Sequence, residues 1–147
     1  MTTSNVSLLD TNILIYAADE SSSFFERSRN LLKRGLAGEV EICISMQNLS
    51  EFFAIITDPK RVDNPRTQAE ALVEIKKYLR SQRIRKIYQG PAMSRVMLDL
   101  MERYQVKKQD IFDLQLVATM LSNRVKRIYT FNRDDFLRFT EIEVMEP

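Results

Sequence analysis

The 147 residues include no histidine. Mechanisms that need an imidazole as base, acid or metal ligand are therefore excluded. Glycine is scarce, with 3 residues, and no segment follows the phosphate-binding pattern G-x-x-x-x-G-K-S/T. A P-loop nucleotide site is excluded as well. Any chemistry must use carboxylates, hydroxyls, lysine, arginine or a bound metal.

Cysteine and long apolar stretches are also scarce. Cys43 is the only cysteine, so no intrachain disulfide can form. Its apolar neighbours Ile42 and Ile44 indicate a buried filler in a reducing compartment. No run of 18 apolar residues occurs, and residues 1–5 do not form a basic segment that leads into an apolar stretch. We expect a cytoplasmic protein that neither spans a membrane nor is secreted.

Charge and size limit the class of protein further. Lys and Arg number 22 and Asp and Glu number 20, for a net charge of +2. This excess is too small to attract a polyanion over a distance, so RNA would have to be held by local contacts. With 44% hydrophobic residues, a chain of this length can close one apolar core. We expect a single domain over residues 1–147.

Apolar segments typical of buried strands alternate with helical patterns along the chain. The expected strands are residues 6–9, 40–44, 84–88, 127–130 and 143–145. Helices are expected after Asp10, after the capping residues Ser45 and Thr67, and after Pro91. A last helix near Asp113 is apolar almost all round, which predicts that it is buried. This order predicts an α/β domain with a parallel sheet.

Acidic residues follow the strands on the side where such sheets bind ligands. Asp10 directly follows the first strand, and Glu51 lies almost two turns into the helix that leaves the second. The pair Asp134 and Asp135 follows the fourth strand, and Asp113 joins them if its helix begins at the same edge. Gathered carboxylates repel one another unless a hard cation compensates them. Mg²⁺ or Mn²⁺ is the natural cation for such a cluster.

Each of these acids also has a purely structural explanation. Asp10 could cap the helix that begins at Thr11. Asp113 would be favoured by the helix dipole without any function, and Asp110 competes with it as a cap. From position alone, the structural and functional explanations of Asp10 and Asp113 are about equally good.

Local context favours a functional role most strongly at Glu51. Its apolar neighbours predict surroundings in which a lone carboxylate would be costly. Thr11 and Asn12 could contact substrate or metal-bound water, yet both are also ordinary residues of a helix start. Asp134 and Asp135, taken alone, fit a solvated turn.

Four segments together resemble the PIN-domain family, and among its branches the VapC-type toxins of bacterial toxin–antitoxin pairs. They are LLDTNILIYAADE at 8–20, LSEFFAIITDPKRVDNP at 49–65, DIFDLQLVATMLSNRVKRIYTFNRDDFLRF at 110–139 and the closing EVMEP. The resemblance spans nearly the whole chain in the family's order. It implies a three-layer α/β/α fold with a central, mainly parallel sheet of four to five strands. It also implies a Mg²⁺- or Mn²⁺-dependent ribonuclease.

The resemblance also implies site residues. Asp10 matches the family's first aspartate, and Glu51 matches its helix glutamate. The third motif resembles D-A-x-L-A-A-T-x-L, which fits Asp113 and leaves Asp110 as a cap or rim residue. Many relatives have aspartate where Asn132 stands.

Others follow the pattern T-x-N-x-x-D-F, which matches Thr130, Asn132, Asp135 and Phe136. We therefore expect Asp135 as the fourth acid and Asn132 as a neutral helper, with Asp134 as the alternative to Asp135. Asparagine at position 132 carries no charge, which would weaken a second metal site. A single ion could then occupy the site before substrate arrives.

The resemblance further implies how such a site works and what it meets. Water attacks the phosphodiester, so the products carry 5′-phosphate and 3′-hydroxyl ends. Expected partners are an RNA substrate, for example transfer RNA or another structured RNA, a cognate antitoxin whose helical tail carries Arg or Lys to the acids, and a second copy in a homodimer. Basic groups that could hold RNA are Arg61, Arg66, Arg83, Arg85, Lys107, Lys108, Arg124, Lys126 and Arg133. Phe24, Phe25, Tyr78 and Tyr104 could stack bases, although packing in the core explains them better.

Two other functions fit parts of the pattern. An aspartyl-phosphate phosphatase also places Asp after a first strand, but it needs a second Asp where Asn12 stands. A catalytically weakened RNA-binding or scaffold protein would keep the fold and lose the metal, and Asn132 is the residue that suggests it. The other three acids favour the enzyme.

Overall fold

The computed structural model describes residues 5–147. Residues 1–4, on which the expectation about secretion partly depends, lie outside the described residues. The strands are β1 (Ser7–Leu9), β2 (Ile42–Ser45), β3 (Ile84–Ile87), β4 (Arg127–Tyr129) and β5 (Glu143–Met145). The α-helices are α1 (Thr11–Ala17), α2 (Phe25–Leu36), α3 (Met46–Ile56), α4 (Gln68–Arg80), α5 (Pro91–Arg103) and α6 (Asp110–Ser122). A short 3-10 helix spans Arg133–Asp135.

The strands form one sheet in the order β3-β2-β1-β4-β5, and every pairing is parallel. This confirms the parallel sheet and the number of strands expected from the sequence. The central strand β1 pairs Leu8 with Cys43 of β2 and Leu9 with Tyr129 of β4. The strands β2 and β3 lie on one side of β1, and β4 and β5 lie on the other. At such a switch in strand order, the carboxyl ends of the neighbouring strands border a crevice in which ligands bind.

Alternate strand residues point to opposite faces of the sheet, and each face carries its own apolar core. Leu8 packs against α5 and α6, whereas Leu9 packs against α1, α2 and α3. Cys43 belongs to the first core and Ile44 to the second, and both are fully buried. Helices thus cover both faces, which confirms the three-layer α/β/α architecture.

Helix α6 packs against α5 and against the sheet in the first core. Its buried residues fall on more than one side of the helix and are Leu114, Leu116, Val117, Ala118, Thr119 and Met120. The apolar pattern of this segment had predicted burial, and the structure confirms it. Because α6 is fixed on two sides, its first turn, which carries Asp113, is held firmly at the edge of the sheet.

The helix starts agree with the caps expected from the sequence. Ser45 caps α3 and Thr67 caps α4, each in a reciprocal capping box. Gly35 lies within α2. A Cβ at Gly35 would overlap the Cδ1 of Ile42, so glycine allows α2 to approach β2 closely. Nowhere in residues 5–147 is there a helix both long and apolar enough to cross a membrane.

Candidate functional site

The pairing of β1 with β4 places Asp10 beside Thr130, because each follows its strand by one residue. The Asp10 amide donates to the carbonyl of Tyr129 at 3.0 Å. The Thr130 hydroxyl donates to Oδ2 of Asp10 at 2.7 Å, and the Thr11 amide donates to Oδ1 at 2.8 Å. Asp10 therefore does cap α1, as its position suggested. Its buried carboxylate also lines a cleft, so its role as a cap does not exclude a second role in that cleft.

Thr130 links three segments through one hydroxyl. While it donates to Asp10, it accepts from the backbone amide of Asn132 at 2.9 Å and from Nδ2 of Asn12 at 3.4 Å. Oδ1 of Asn12 is buried and has no hydrogen-bond partner within residues 5–147. The residues expected from the sequence to support the acids, Thr11, Asn12, Thr130 and Asn132, therefore all contact one another or Asp10.

Helix α3 supplies Glu51 together with two residues that hold it. The Thr11 hydroxyl donates to Oε2 of Glu51 at 2.7 Å, and Nε2 of Gln47 donates to Oε1 at 3.1 Å. The buried amide of Asn48 donates in turn to the Thr11 hydroxyl at 3.1 Å. Glu51 is thus half-buried among polar partners, and not in the apolar surroundings that its sequence neighbours had suggested.

Gln47 and Asn48 were missed in the sequence. Their spacing could have revealed them, because residues three and four positions before Glu51 lie on the same face of a helix. Asn48 also completes the capping box of α3, with its Oδ1 accepting from the backbone amide of Ser45 at 3.1 Å. The helix cap and the support of the acidic site are therefore the same side chain.

The four acids expected from the resemblance, Asp10, Glu51, Asp113 and Asp135, line one cleft of about 440 Å³, which we call the acidic cleft. Asn132 also lines it, and Arg61 is the only basic residue of its lining within the described chain. Asp134 is not part of this lining, which favours Asp135 among the alternatives. Asp110 is the first residue of α6 and pairs with Arg138 at 3.5 Å, and Gln109 occupies the N-cap position without a side-chain hydrogen bond, so Asp110 is not the cap.

The electrostatics of the cleft differ from those of isolated carboxylates. Burial raises the pKa of Asp10 from 3.8 to about 6, against the opposing hydrogen bonds from Thr130 and Thr11, and Glu51 and Asp135 raise it further. Burial, followed by the charges of Asp135, Asp10 and Asp110, raises the pKa of Asp113 to about 7. Two of the four acids therefore resist ionisation in the absence of a compensating positive charge.

This set of donors fits a hard divalent cation. All the candidate ligands are oxygen atoms, which Mg²⁺ and Mn²⁺ prefer. Among residues 5–147, no three acidic side chains are grouped so that they could hold one ion by themselves. An ion bound here would therefore take one or two carboxylates directly and keep several water molecules, as Mg²⁺ usually does. The pKa values of Asp10 and Asp113 are raised first by burial and then by neighbouring carboxylates, so a bound cation would favour the ionised form of both groups.

Replacing Thr130 with valine tests how the site is held. Valine has nearly the same shape but cannot donate to Asp10 or accept from Asn132, so a buried carboxylate loses its strongest partner. We expect the free energy of unfolding to fall by about 1–3 kcal/mol and the pKa of Asp10 to rise further. Urea denaturation and NMR titration of the carboxyl group measure these changes. Thr130→Ser keeps the hydroxyl and should behave like the wild type, whereas equal losses in both variants would contradict this explanation.

Comparison with known proteins agrees with this architecture. A model of the PIN domain family matches residues 7–142. Ribonuclease VapC24 of Mycobacterium tuberculosis is 24% identical over 139 residues, which cover 95% of this chain and 94% of that protein. Ribonuclease VapC48 of the same species is 21% identical over 138 residues, 94% of each chain.

Solved structures share the fold at low sequence identity. VapC20 of Mycobacterium tuberculosis, a sarcin–ricin loop cleaving toxin, superposes with a TM-score of 0.66 at 14% identity, over 94% of this chain and 98% of that one. VapBC2 of Rickettsia felis, bound to a DNA fragment of its promoter, gives 0.64 at 17% identity, over 97% and 98%. With the family match extending from β1 almost to β5, and with the parallel α/β/α fold described above, this chain belongs to the PIN domain family.

Proposed function

We propose that this protein is a metal-dependent endoribonuclease that hydrolyses RNA phosphodiester bonds, and that it is the toxin of a bacterial toxin–antitoxin pair. The observation that carries the proposal is the convergence of Asp10, Glu51, Asp113 and Asp135 on one cleft. These acids come from four separate segments of the chain. Helix capping explains the position of Asp10, and a helix start explains that of Asp113. Neither explains why all four acids line the same cleft.

The four acids would hold Mg²⁺ or Mn²⁺. When bound, the ion supplies positive charge beside the phosphate and lowers the pKa of a water molecule. The chain's own contribution is orientation. Thr130 and Thr11 fix the Asp10 carboxylate, and Thr11 also fixes Glu51. Arg61, which lines the same cleft, would contact a phosphate of the RNA.

The relatives support the biological part of the proposal. VapC24 and VapC48 are named ribonucleases, and VapC20 is described as a toxin that cleaves the sarcin–ricin loop. Other proteins of this fold were solved as VapBC assemblies or as a toxin–antitoxin complex. By analogy, we propose an RNA substrate, a cognate antitoxin and a homodimer for this chain, acting in the cytoplasm.

A cleavage assay with mapped ends tests the activity. Purified protein, freed of any co-purifying partner, should cut RNA in millimolar Mg²⁺ and leave 5′-phosphate and 3′-hydroxyl ends, since water attacks phosphorus. Sequencing of 5′-phosphorylated ends identifies the cut sites. Chelation of the metal should abolish cleavage, and renewed Mg²⁺ or Mn²⁺ should restore it.

The same assay separates the alternatives. Cyclic phosphate ends, or full activity in the presence of a chelator, would contradict the proposed chemistry. Calorimetry with Mn²⁺ distinguishes the enzyme from a scaffold: the enzyme should bind the metal, and Glu51→Gln should weaken that binding. A protein that binds RNA but gives no heat of binding with millimolar Mn²⁺ would be the scaffold.

A further inference from the structure

A second cleft adjoins the acidic one, between the amino-terminal ends of α3 and α6 and the segment that follows β3. It measures about 610 Å³, within the size range of small-ligand sites. Its lining includes two aromatic residues, Tyr88 and Phe112, and three glutamines, Gln47, Gln89 and Gln115. We call it the aromatic cleft.

The two aromatic rings are unusually exposed for their size. Tyr88 is 58% exposed and Phe112 is 54% exposed. Within residues 5–147, neither ring packs against another aromatic ring. Three of the four aromatic residues considered from the sequence do so: Phe24 contacts Phe131, Tyr78 contacts Phe52, and Tyr104 contacts Phe139. Large apolar surface left open beside a cleft is typical of a binding site.

The lining favours a neutral, flat ligand. Among the described residues that line the aromatic cleft, Glu51 alone carries a charge, and no basic side chain is present to hold a phosphate. Aromatic faces stack on nucleobases of any identity, and the donor and acceptor atoms of glutamine amides match the edges of bases. A nucleobase fits this chemistry, and a phosphate group does not.

Two contacts join the aromatic cleft to the acidic cleft. Glu51 lines both. Nε2 of Gln47 donates to Oε1 of Glu51 and to the backbone carbonyl of Phe112, each at 3.1 Å. When the phosphate of a nucleotide lies at the four acids, its base would therefore lie beside the aromatic cleft.

We propose that the aromatic cleft binds one unstacked base of single-stranded RNA, next to the phosphate held at the acidic cleft. This inference rests on the proposed function, because it assigns a substrate subsite to the same active site. The protein then acts on RNA whose bases are free to leave their stack, such as a loop or a single strand. A fully paired duplex does not offer such a base.

Fluorescence of short single-stranded RNAs that carry one 2-aminopurine tests the inference directly. Rapid mixing in Mg²⁺ records binding before the RNA is cut, so the readout does not depend on nuclease activity and the cation that offsets the acids is present. The wild type should quench the fluorophore as it binds. Tyr88→Ala and Phe112→Ala should each weaken binding by about fivefold or more, as expected when a stacked base loses its aromatic partner. Tyr88→Phe keeps the ring and should bind like the wild type.

Leu98→Ala is the matched control, because Leu98 is 62% exposed on α5 and lies outside both clefts. Circular dichroism should show that all the variants are folded. If neither alanine variant changes binding or quenching, or if the wild type does not bind, the subsite inference fails. If the alanine variants instead convert a dimer to a monomer in sedimentation and leave RNA affinity unchanged, the cleft is an interface between copies and the inference also fails. Wild-type quenching without cleavage in Mg²⁺ would retain the base site and reject the proposed enzyme.

Discussion

Asp10→Asn is expected to reduce RNA cleavage by at least about 100-fold, since even the loss of an outer partner of a metal ligand costs roughly 10- to 100-fold. Asp10 is the buried member of the acidic cleft, and both of its oxygens are fixed by Thr11 and Thr130. The substitution removes the negative charge and keeps the shape. Initial rates of cleavage in Mg²⁺, for wild type and variant at equal concentration, measure the effect.

The fold should survive this substitution. An asparagine oxygen can still accept from the Thr11 amide and cap α1. Its Nδ2 cannot accept from the Thr130 hydroxyl, but removal of a buried charge that is unfavourable without a cation offsets this loss. Asp134→Asn provides a matched control, because Asp134 lies just before Asp135 in the chain but outside the acidic cleft. This control should cleave at the wild-type rate and bind Mn²⁺ normally. Full activity of Asp10→Asn would end the assignment of Asp10 to the active site.

The metal-free protein is expected to become less stable as pH rises from about 4 to about 7. In the unfolded chain Asp10 titrates near 3.8, whereas in the folded protein burial keeps it protonated to about 6 and keeps Asp113 protonated to about 7. Between these values the folded state binds more protons, so the free energy of unfolding falls with pH. The loss is on the order of 3 kcal/mol for Asp10. Asp113 contributes less, because water screens this half-buried group.

Urea denaturation in the presence of a chelator, at pH 5 and pH 8, measures this dependence. Mg²⁺ should raise the stability most at pH 8, where the carboxylates are ionised and a ligand that binds only the folded state stabilises it. Asp10→Asn removes the larger of the two contributions and should flatten the pH profile. A stability that rises steadily from pH 5 to pH 8 without metal would contradict the raised pKa values.

Local patterns in the sequence correctly predicted those structural features whose physical cause is itself local. Short apolar runs predicted that β1 and β2 are strands buried on both faces, and Leu8 and Leu9 do pack in different cores. Ser45 and Thr67 predicted the starts of α3 and α4, since a cap depends on atoms only a few residues away. The predicted strands began one residue early at β1 and two residues early at β2, stopped one residue short at β2 and ended one residue late at β3 and β4, because sheet pairing decides where a strand starts and stops.

The surroundings of Glu51 show where local patterns mislead. Its neighbours along the helix are apolar because they face the core, with Phe52 fully buried. Glu51 itself lies on another face of α3, where Gln47 and Thr11 meet it. Neighbours in sequence therefore describe the helix as a whole and not the side that a given residue occupies.

By itself, the sequence determined the alternation of strands and helices, the helix caps and the absence of imidazole chemistry. Through resemblance, it also supplied the four acids as candidates for the site. Only the tertiary structure decided which polar groups hold those acids. Thr130 reaches Asp10 across 120 positions and Thr11 reaches Glu51 across 40, and both contacts follow from parallel pairing around β1. Likewise, the meeting of Tyr88 and Phe112 at one cleft depends on how α6 packs beside β3. Such contacts join distant segments, so no short-range pattern in the chain encodes them.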